Sequence, residues 1–220
     1  MKEILIDELK QIQLQIMDAI HEFCVKNSIQ YFLAGGTLIG AIRHKQVIDP
    51  TLLMTSEDYD RIAEKRLIEE KYILLYTRRY DPIMEAYAEA LAKEKNCKIV
   101  EISLRAINAE KGHIMYYQAG VEEFLSLVKY SEAVVTNSFH GLIFGLQYSR
   151  PIHIFTREQA DKKIGDVLRI CDLSDRVVKD NQLLSNDIDY ISVHQRISRK
   201  RQESMEFLKM ELDNCPAKEG

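Results

Sequence analysis

Val134-Val135-Thr136-Asn137-Ser138-Phe139-His140-Gly141 decides how this chain is read. With Ala133 before it, the stretch begins as small and β-branched residues, the composition of a strand covered on both faces. Three short hydrogen-bonding side chains, Thr136, Asn137 and Ser138, follow at the strand's carboxyl end. His140 and Gly141 then open an apolar helix expected over Leu142 to Tyr148. In an open α/β sheet, ligands sit beyond the carboxyl ends of strands and against helix N-termini. A histidine there titrates near neutral pH and can face an anion. The alternative is a capped helix start with a histidine satisfied by its neighbours.

Working outward, apolar runs alternate with helical patterns, which predicts a parallel sheet. Strands are expected over Tyr72–Tyr76, Lys98–Ser103, Ile114–Tyr117, Ala133–Thr136 and Pro151–Phe155. Helices are expected over Ser56–Glu64, Pro82–Lys95, Val121–Lys129, Asp161–Cys171 and Val193–Leu212. Before them, residues 3–26 carry Leu5, Leu9, Ile12, Ile16, Ile20 and Phe23 at three- and four-residue spacing, an amphipathic helix. Ile29 to Leu33 reads as a short strand, and Gly35-Gly36-Thr37 turns into a second helix ending near Arg43.

Composition narrows the classes. The 220 residues are 46% hydrophobic and 29% charged, as in ordinary globular chains. Thirty basic residues against 34 acidic ones give a net charge of −4, which argues against nucleic acid as a partner. Cys24, Cys97, Cys171 and Cys215 are scattered, with no metal-type pair and no disulfide framework. The acidic start lacks the pattern of a secretion signal. No apolar run approaches the ~18 residues of a membrane span. A cytoplasmic protein with reduced thiols is expected.

The segment from Gly120 through Val121-Glu122-Glu123-Phe124 to Ser138-Phe139-His140-Gly141 resembles the signature region of polysaccharide pyruvyl transferases. Asp49-Pro50-Thr51-Leu52-Leu53, Leu173-Ser174-Asp175-Arg176 and the closing stretch with Arg201, Ser204, Phe207 and Leu208 fit the same family in order. The resemblance covers about residues 48–213 and leaves 214–220 as a tail. It implies an α/β fold with one Rossmann-like parallel sheet, helices on both faces, of the kind that forms the C-terminal lobe of GT-B-type proteins. The N-terminal helix–strand–helix segment precedes it.

That N-terminal segment, about residues 1–47, resembles instead the start of LicD-type nucleotidyltransferase-like proteins. The matching residues are Leu14-Gln15-Ile16 and Phe23, then Tyr31-Phe32-Leu33-Ala34-Gly35-Gly36-Thr37-Leu38-Ile39-Gly40-Ala41-Ile42-Arg43-His44-Lys45. That family follows its arginine element with an aspartate cluster, whereas here Gln46-Val47-Ile48-Asp49 follows. A hard-cation site needs several oxygen ligands, so no metal site is expected and a LicD-type transfer is the least favoured activity.

The pyruvyl transferase resemblance implies transfer of pyruvate from phosphoenolpyruvate to a sugar of a cell-surface glycan or its lipid-linked precursor. Phosphoenolpyruvate is then a co-substrate, and no cofactor is expected. His140 matches the family histidine and is the candidate acid or base. Arg78 and Arg79, beyond the first strand, are candidate anion contacts. Thr136, Asn137, Ser138 and Gly141 are candidate substrate-binding positions around the turn. Lys163 falls where the family often has arginine. Some members carry arginine where this chain has Ser138, so a bidentate clamp is missing at that point. The resemblance matches one lobe of two, which leaves a place for a separate chain supplying the other. The competing reading is a catalytically degenerate or split protein that binds a ligand or partner. Arg176 reads as a turn-stabilising residue, Asp187 and Asp189 as a turn, Tyr116, Tyr117 and Tyr190 as packed or sugar-stacking rings, and His44, His113, His153 and His194 as ordinary histidines.

Overall fold

Tyr72-Ile73-Leu74-Leu75-Tyr76 is β1 (Tyr72–Tyr76), and its period-2 pattern divides the core. Ile73 and Leu75 face one apolar layer, while Tyr72, Leu74 and Tyr76 face the other. A strand apolar on both sides belongs in the middle of a parallel sheet, and β1 lies there. The computed structural model describes residue 26 and residues 48–156, 162–179, 182–185 and 187–213. The expectations for residues 1–47, Lys26 apart, and for 214–220 lie outside the described residues.

Among the described residues four further strands join the sheet: β2 (Lys98–Ile102), β3 (Ile114–Met115), β4 (Ala133–Thr136) and β5 (Ile152–Ile154). Their order is β3-β2-β1-β4-β5, and every neighbouring pair is parallel. The expected α/β class, a Rossmann-like sheet flanked by helices, is therefore what the chain forms.

The helices are α1 (Ser56–Tyr59), α2 (Pro82–Lys95), α3 (Val121–Lys129), α4 (Phe139–Gln147), α5 (Lys162–Cys171) and α6 (Tyr190–Asp213). Local chemistry sets the ends of α2. Asp81 accepts from the N–H groups of Ile83 and Met84, Pro82 fills the first turn, and Asn96 ends the helix in the left-handed region at φ 50°. Met84, Tyr87, Ala88, Leu91 and Ala92 recur at helical spacing and cover one face of the sheet. Residues of α3, α4, α5 and α6 join the larger apolar layer on the other face.

Several boundaries differ from expectation: β2 ends at Ile102, β5 covers only Ile152–Ile154, and α6 begins three residues early at Tyr190. β3 is two residues long, and α1 stops at Tyr59 instead of Glu64. Helix α4 begins at Phe139, three residues before the expected Leu142, so His140 and Gly141 lie in its first turn.

The Asp49–Leu53 segment is anchored. Asp49 caps a 3-10 helix at Pro50–Leu52, and Leu52 is fully buried. Gln147 of α4 donates to the carbonyls of Thr51 and Met54, and Arg201 of α6 donates to those of Leu52 and Met54. Ser204 accepts from the Ile48 N–H at 3.0 Å. The separate family-like pieces of sequence thus meet in space, each satisfying backbone groups of another.

Candidate functional site

The strand order reverses between β1 and β4. The chain leaves β1 for β2 on one side and returns to place β4 on the other. Beyond the carboxyl ends of such a pair the connecting segments diverge and leave a crevice. Tyr76 and Thr136 end the two strands in register.

The turn after β4 is built from its own short side chains. Thr136 is buried; its Oγ1 donates to the Tyr76 carbonyl at 2.6 Å and accepts from the Ser138 N–H at 3.0 Å. Asn137 reaches across to the loop after β1. Its Oδ1 accepts from the Arg78 N–H at 3.1 Å, and its Nδ2 donates to the Arg79 carbonyl at 2.8 Å. Thr77 Oγ1 also donates to the Arg79 carbonyl. The loop bearing both arginines is therefore fixed to the turn bearing the histidine. Arg78 and Arg79 are exposed, and among the described residues neither side chain has a hydrogen-bond or ion-pair partner.

Ser138 is the residue before α4, in extended conformation at φ −103°. Its hydroxyl does not cap the helix, and the buried Oγ has no partner among the described residues. The first N–H groups of an α-helix have no intrahelical acceptor and carry the positive end of its dipole. Among the described residues no side chain answers them, so this end of α4 can accept an anion. His140 is exposed in that first turn, its ring 5.8 Å from that of Phe139. Lys163, in the first turn of α5, holds its Nζ 5.9 Å from the Phe139 ring. Gly141 lies against Thr136: a Cβ there would stand 2.5 Å from Thr136 Oγ1.

The expected site residues thus divide. Arg78, Arg79, His140 and Lys163 present exposed basic side chains on segments joined at this edge. Thr136, Asn137 and Gly141 build the frame: their polar atoms are engaged by the protein, or, for glycine, their smallness lets helix meet strand. Ser138 supplies a buried hydroxyl at the helix start.

Elsewhere, Arg176 is buried and binds Asp175 and the Ser185 carbonyl, a structural role. Asp189 caps α6, accepting from the N–H groups of Ile191 and Ser192. His153 is fully buried on β5, its Nδ1 2.8 Å from the Tyr87 hydroxyl. His194 lies 2.8 Å from Ser149 Oγ, and burial pushes its pKa down. His44 lies outside the described residues.

Sequence reasoning passed over a buried polar cluster on the other face. Glu101, on β2, is 1% exposed. It meets His113 Nδ1 at 2.7 Å, Ser103 Oγ at 2.5 Å and Asn108 Nδ2 at 2.9 Å. Asn108 also donates to Glu85 of α2, which pairs with Lys111. The signal was a lone carboxylate inside the otherwise apolar end of Lys98-Ile99-Val100-Glu101-Ile102. Burial alone would raise the Glu101 carboxyl, but hydrogen bonds from His113, Ser103 and Asn108 together hold it below the usual range. A carboxylate depressed on folding stabilises the fold above its unfolded pKa of ~4.3 and loses that contribution as pH falls through the folded value. Glu101→Gln is expected to cost about 2 kcal/mol at pH 7, leaving Asn108 and Ser103 donors mismatched. Urea titrations from pH 7 to pH 3 should show the gap to wild type closing below pH ~4; a constant gap would assign the loss to packing alone.

The family model described as Polysaccharide pyruvyl transferase matches residues 28–159, a span holding all five strands and His140 but not Lys163. The chain is 32% identical over 102 residues to the lipopolysaccharide cholinephosphotransferase LicD of Haemophilus influenzae, covering 44% of this chain and 38% of that protein. It is 30% identical over 104 residues to the uncharacterized protein RP689 of Rickettsia prowazekii, covering 46% and 35% respectively. The chain thus spans little more than a third of the length of these relatives. No solved structure matches.

Proposed function

This chain belongs to the polysaccharide pyruvyl transferase family, and we propose that its switch-point crevice binds phosphoenolpyruvate and passes the pyruvyl group to a sugar of a cell-surface glycan or its lipid-linked precursor. The observation that carries this reading is His140, exposed in the first turn of a helix whose N-terminus no side chain caps. Phosphoenolpyruvate carries a phosphate and a carboxylate. The α4 N-terminus takes one anionic group, and Arg78, Arg79 or Lys163 answers the other charges.

The chemistry conserves protons. The methylene carbon of the donor gains one proton, and the two sugar hydroxyls lose two as they bond to the adjacent carbon. Inorganic phosphate leaves carrying the remaining proton. His140 is placed to give a proton to the methylene or to take one from an attacking hydroxyl. The similarity to a lipopolysaccharide-modifying protein supports a glycan acceptor. A water-soluble phosphorylated donor favours a cytoplasmic reaction. Among the described residues no helix is long and apolar enough to cross a membrane.

Ligand binding without turnover is the second reading, favoured by Ser138 standing where some members carry arginine. One experiment separates them. The chain is titrated with phosphoenolpyruvate and followed by phosphorus NMR, then incubated with hexose-containing oligosaccharides. Phosphate release matched by acid-labile pyruvate on the glycan is the expected result. Binding without release supports the second reading. No binding of phosphoenolpyruvate would overturn the transfer reading and leave a degenerate or split protein with an interaction role in the lead.

A further inference from the structure

A shallow, open surface pocket of about 370 Å³ lies just past β3, lined by Met115, Tyr116, Tyr117, Gln118, Ala119 and Glu123. We propose that it is a saccharide subsite, holding a neutral hexose of the acceptor chain other than the sugar that receives pyruvate. The inference rests on the transfer reading above and adds a location and a specificity to it.

The first argument is chemical. Tyr117 is 44% exposed, an aromatic ring left uncovered between apolar Met115 and Ala119 and polar Gln118 and Glu123. Such a ring offers an apolar face and a polar tip, which suits the C–H face and hydroxyl edge of a pyranose. Gln118 contributes both a donor and an acceptor, and Glu123 contributes two acceptors. Glu123 is half-buried, yet among the described residues no hydrogen bond or ion pair engages its carboxylate. A carboxylate in that state is suited to accept from two neighbouring hydroxyls, and hydrogen bonds to a charged group are the stronger kind. Its position follows from Gly120: Glu123 Oε2 lies 2.7 Å from where a Cβ at residue 120 would be, so the side chain folds back over bare backbone. The volume falls at the small end of ligand pockets, ~300–1,000 Å³, room for a single ring.

The second argument is placement. Met115, Glu101, Leu75 and Val135 lie in one row across the sheet. Three strand spacings of about 4.8 Å put the end of β3 roughly 14 Å from the end of β4. Both open on the carboxyl edge of the parallel sheet. The ground between them is filled from α3, where Phe124, next to Glu123, packs 5.0 Å from the Tyr76 ring at the end of β1. One sugar cannot occupy the cavity and reach the His140 crevice together, whereas successive sugars of one chain can.

The test uses the methyl resonance of Met115, assigned by Met115→Leu in carbon-13 methyl-labelled protein. The probes are the methyl glycosides of glucose, galactose and mannose. At least one should shift the Met115 signal saturably. Tyr117→Ala, at an exposed position, should weaken that binding about tenfold or more, and Glu123→Gln should do likewise. His140→Ala should leave it unchanged. In transfer assays, Tyr117→Ala should raise KM for an oligosaccharide acceptor while KM for phosphoenolpyruvate stays constant. Absence of a saturable Met115 shift with all three glycosides would overturn the subsite. So would equal binding by Tyr117→Ala and wild type. Failure of the transfer reading shows separately, as absent phosphoenolpyruvate binding beside a normal Met115 titration.

Discussion

His140→Ala is expected to lower pyruvyl transfer by about 10²- to 10⁴-fold, the usual worth of a positioned acid or base. The fold should not register the change. His140 is exposed, and its only ring contact among the described residues is with neighbouring Phe139. Surface replacements of this kind stay within about 0.5 kcal/mol. Removing a group that is cationic when protonated from a helix N-terminus also relieves an unfavourable dipole interaction. Activity and stability should therefore separate, with a normal urea midpoint beside a collapsed turnover. Exposed Arg199 on α6 provides the control, since Arg199→Ala removes only an ion pair with Glu203 at the surface. His153→Ala, a natural comparison from sequence alone, is unsuitable. That histidine is fully buried and bonded to Tyr87, so its loss would destabilise the protein outright. Turnover in His140→Ala within threefold of wild type would remove the histidine from the mechanism.

Gly141→Ala is expected to cost about 3 kcal/mol of stability. The added Cβ would stand 2.5, 2.8 and 2.9 Å from Oγ1, Cγ2 and Cβ of Thr136. Real contacts do not come so close, so helix or side chain must move. Thr136 cannot rotate away freely, because its hydroxyl bonds both the Tyr76 carbonyl and the Ser138 N–H. Moving α4 instead disturbs the packing of Leu142, Ile143 and Leu146, all fully buried. Either response also shifts the turn before His140, so transfer should fall with stability. Gly165→Ala in α5 is the counterpart. Nothing lies within 4 Å of its Cβ position, and alanine in an open helical site should stabilise by about 0.5–1 kcal/mol. Urea midpoints moving in opposite directions for the two variants would confirm the close approach. An unchanged midpoint for Gly141→Ala would refute it.

The alternation of strands and helices was legible along the chain, and several limits agree with expectation to the residue: β1, α2, α3 and β4. The signals there are local. An unbroken apolar run specifies a buried strand. Asp81, Pro82 and Asn96 specify where a helix begins and ends through contacts a few residues away. The resemblance around Ser138-Phe139-His140-Gly141 implied a strand end running into a helix start, and β4 and α4 meet there for the same reason, since motif, strand end and helix start are contiguous.

Side-chain roles at that crevice were decided by tertiary structure. Asn137 looked like a ligand contact, yet both its polar atoms hold a loop 58 and 59 residues away. The early start of α4 depends on Gly141 meeting Thr136 across a helix–strand contact that no periodicity reveals. Glu101 is a lone carboxylate in the sequence of β2, and its partners arrive only when α2 and the 3-10 turn at Ala106–Lys111 close over it. Sequence pattern records interactions between residues a few positions apart, which backbone geometry brings together by itself. Which buried polar groups satisfy one another depends on segments that meet only after the sheet has formed, and the demand that each find a partner then selects the pairing.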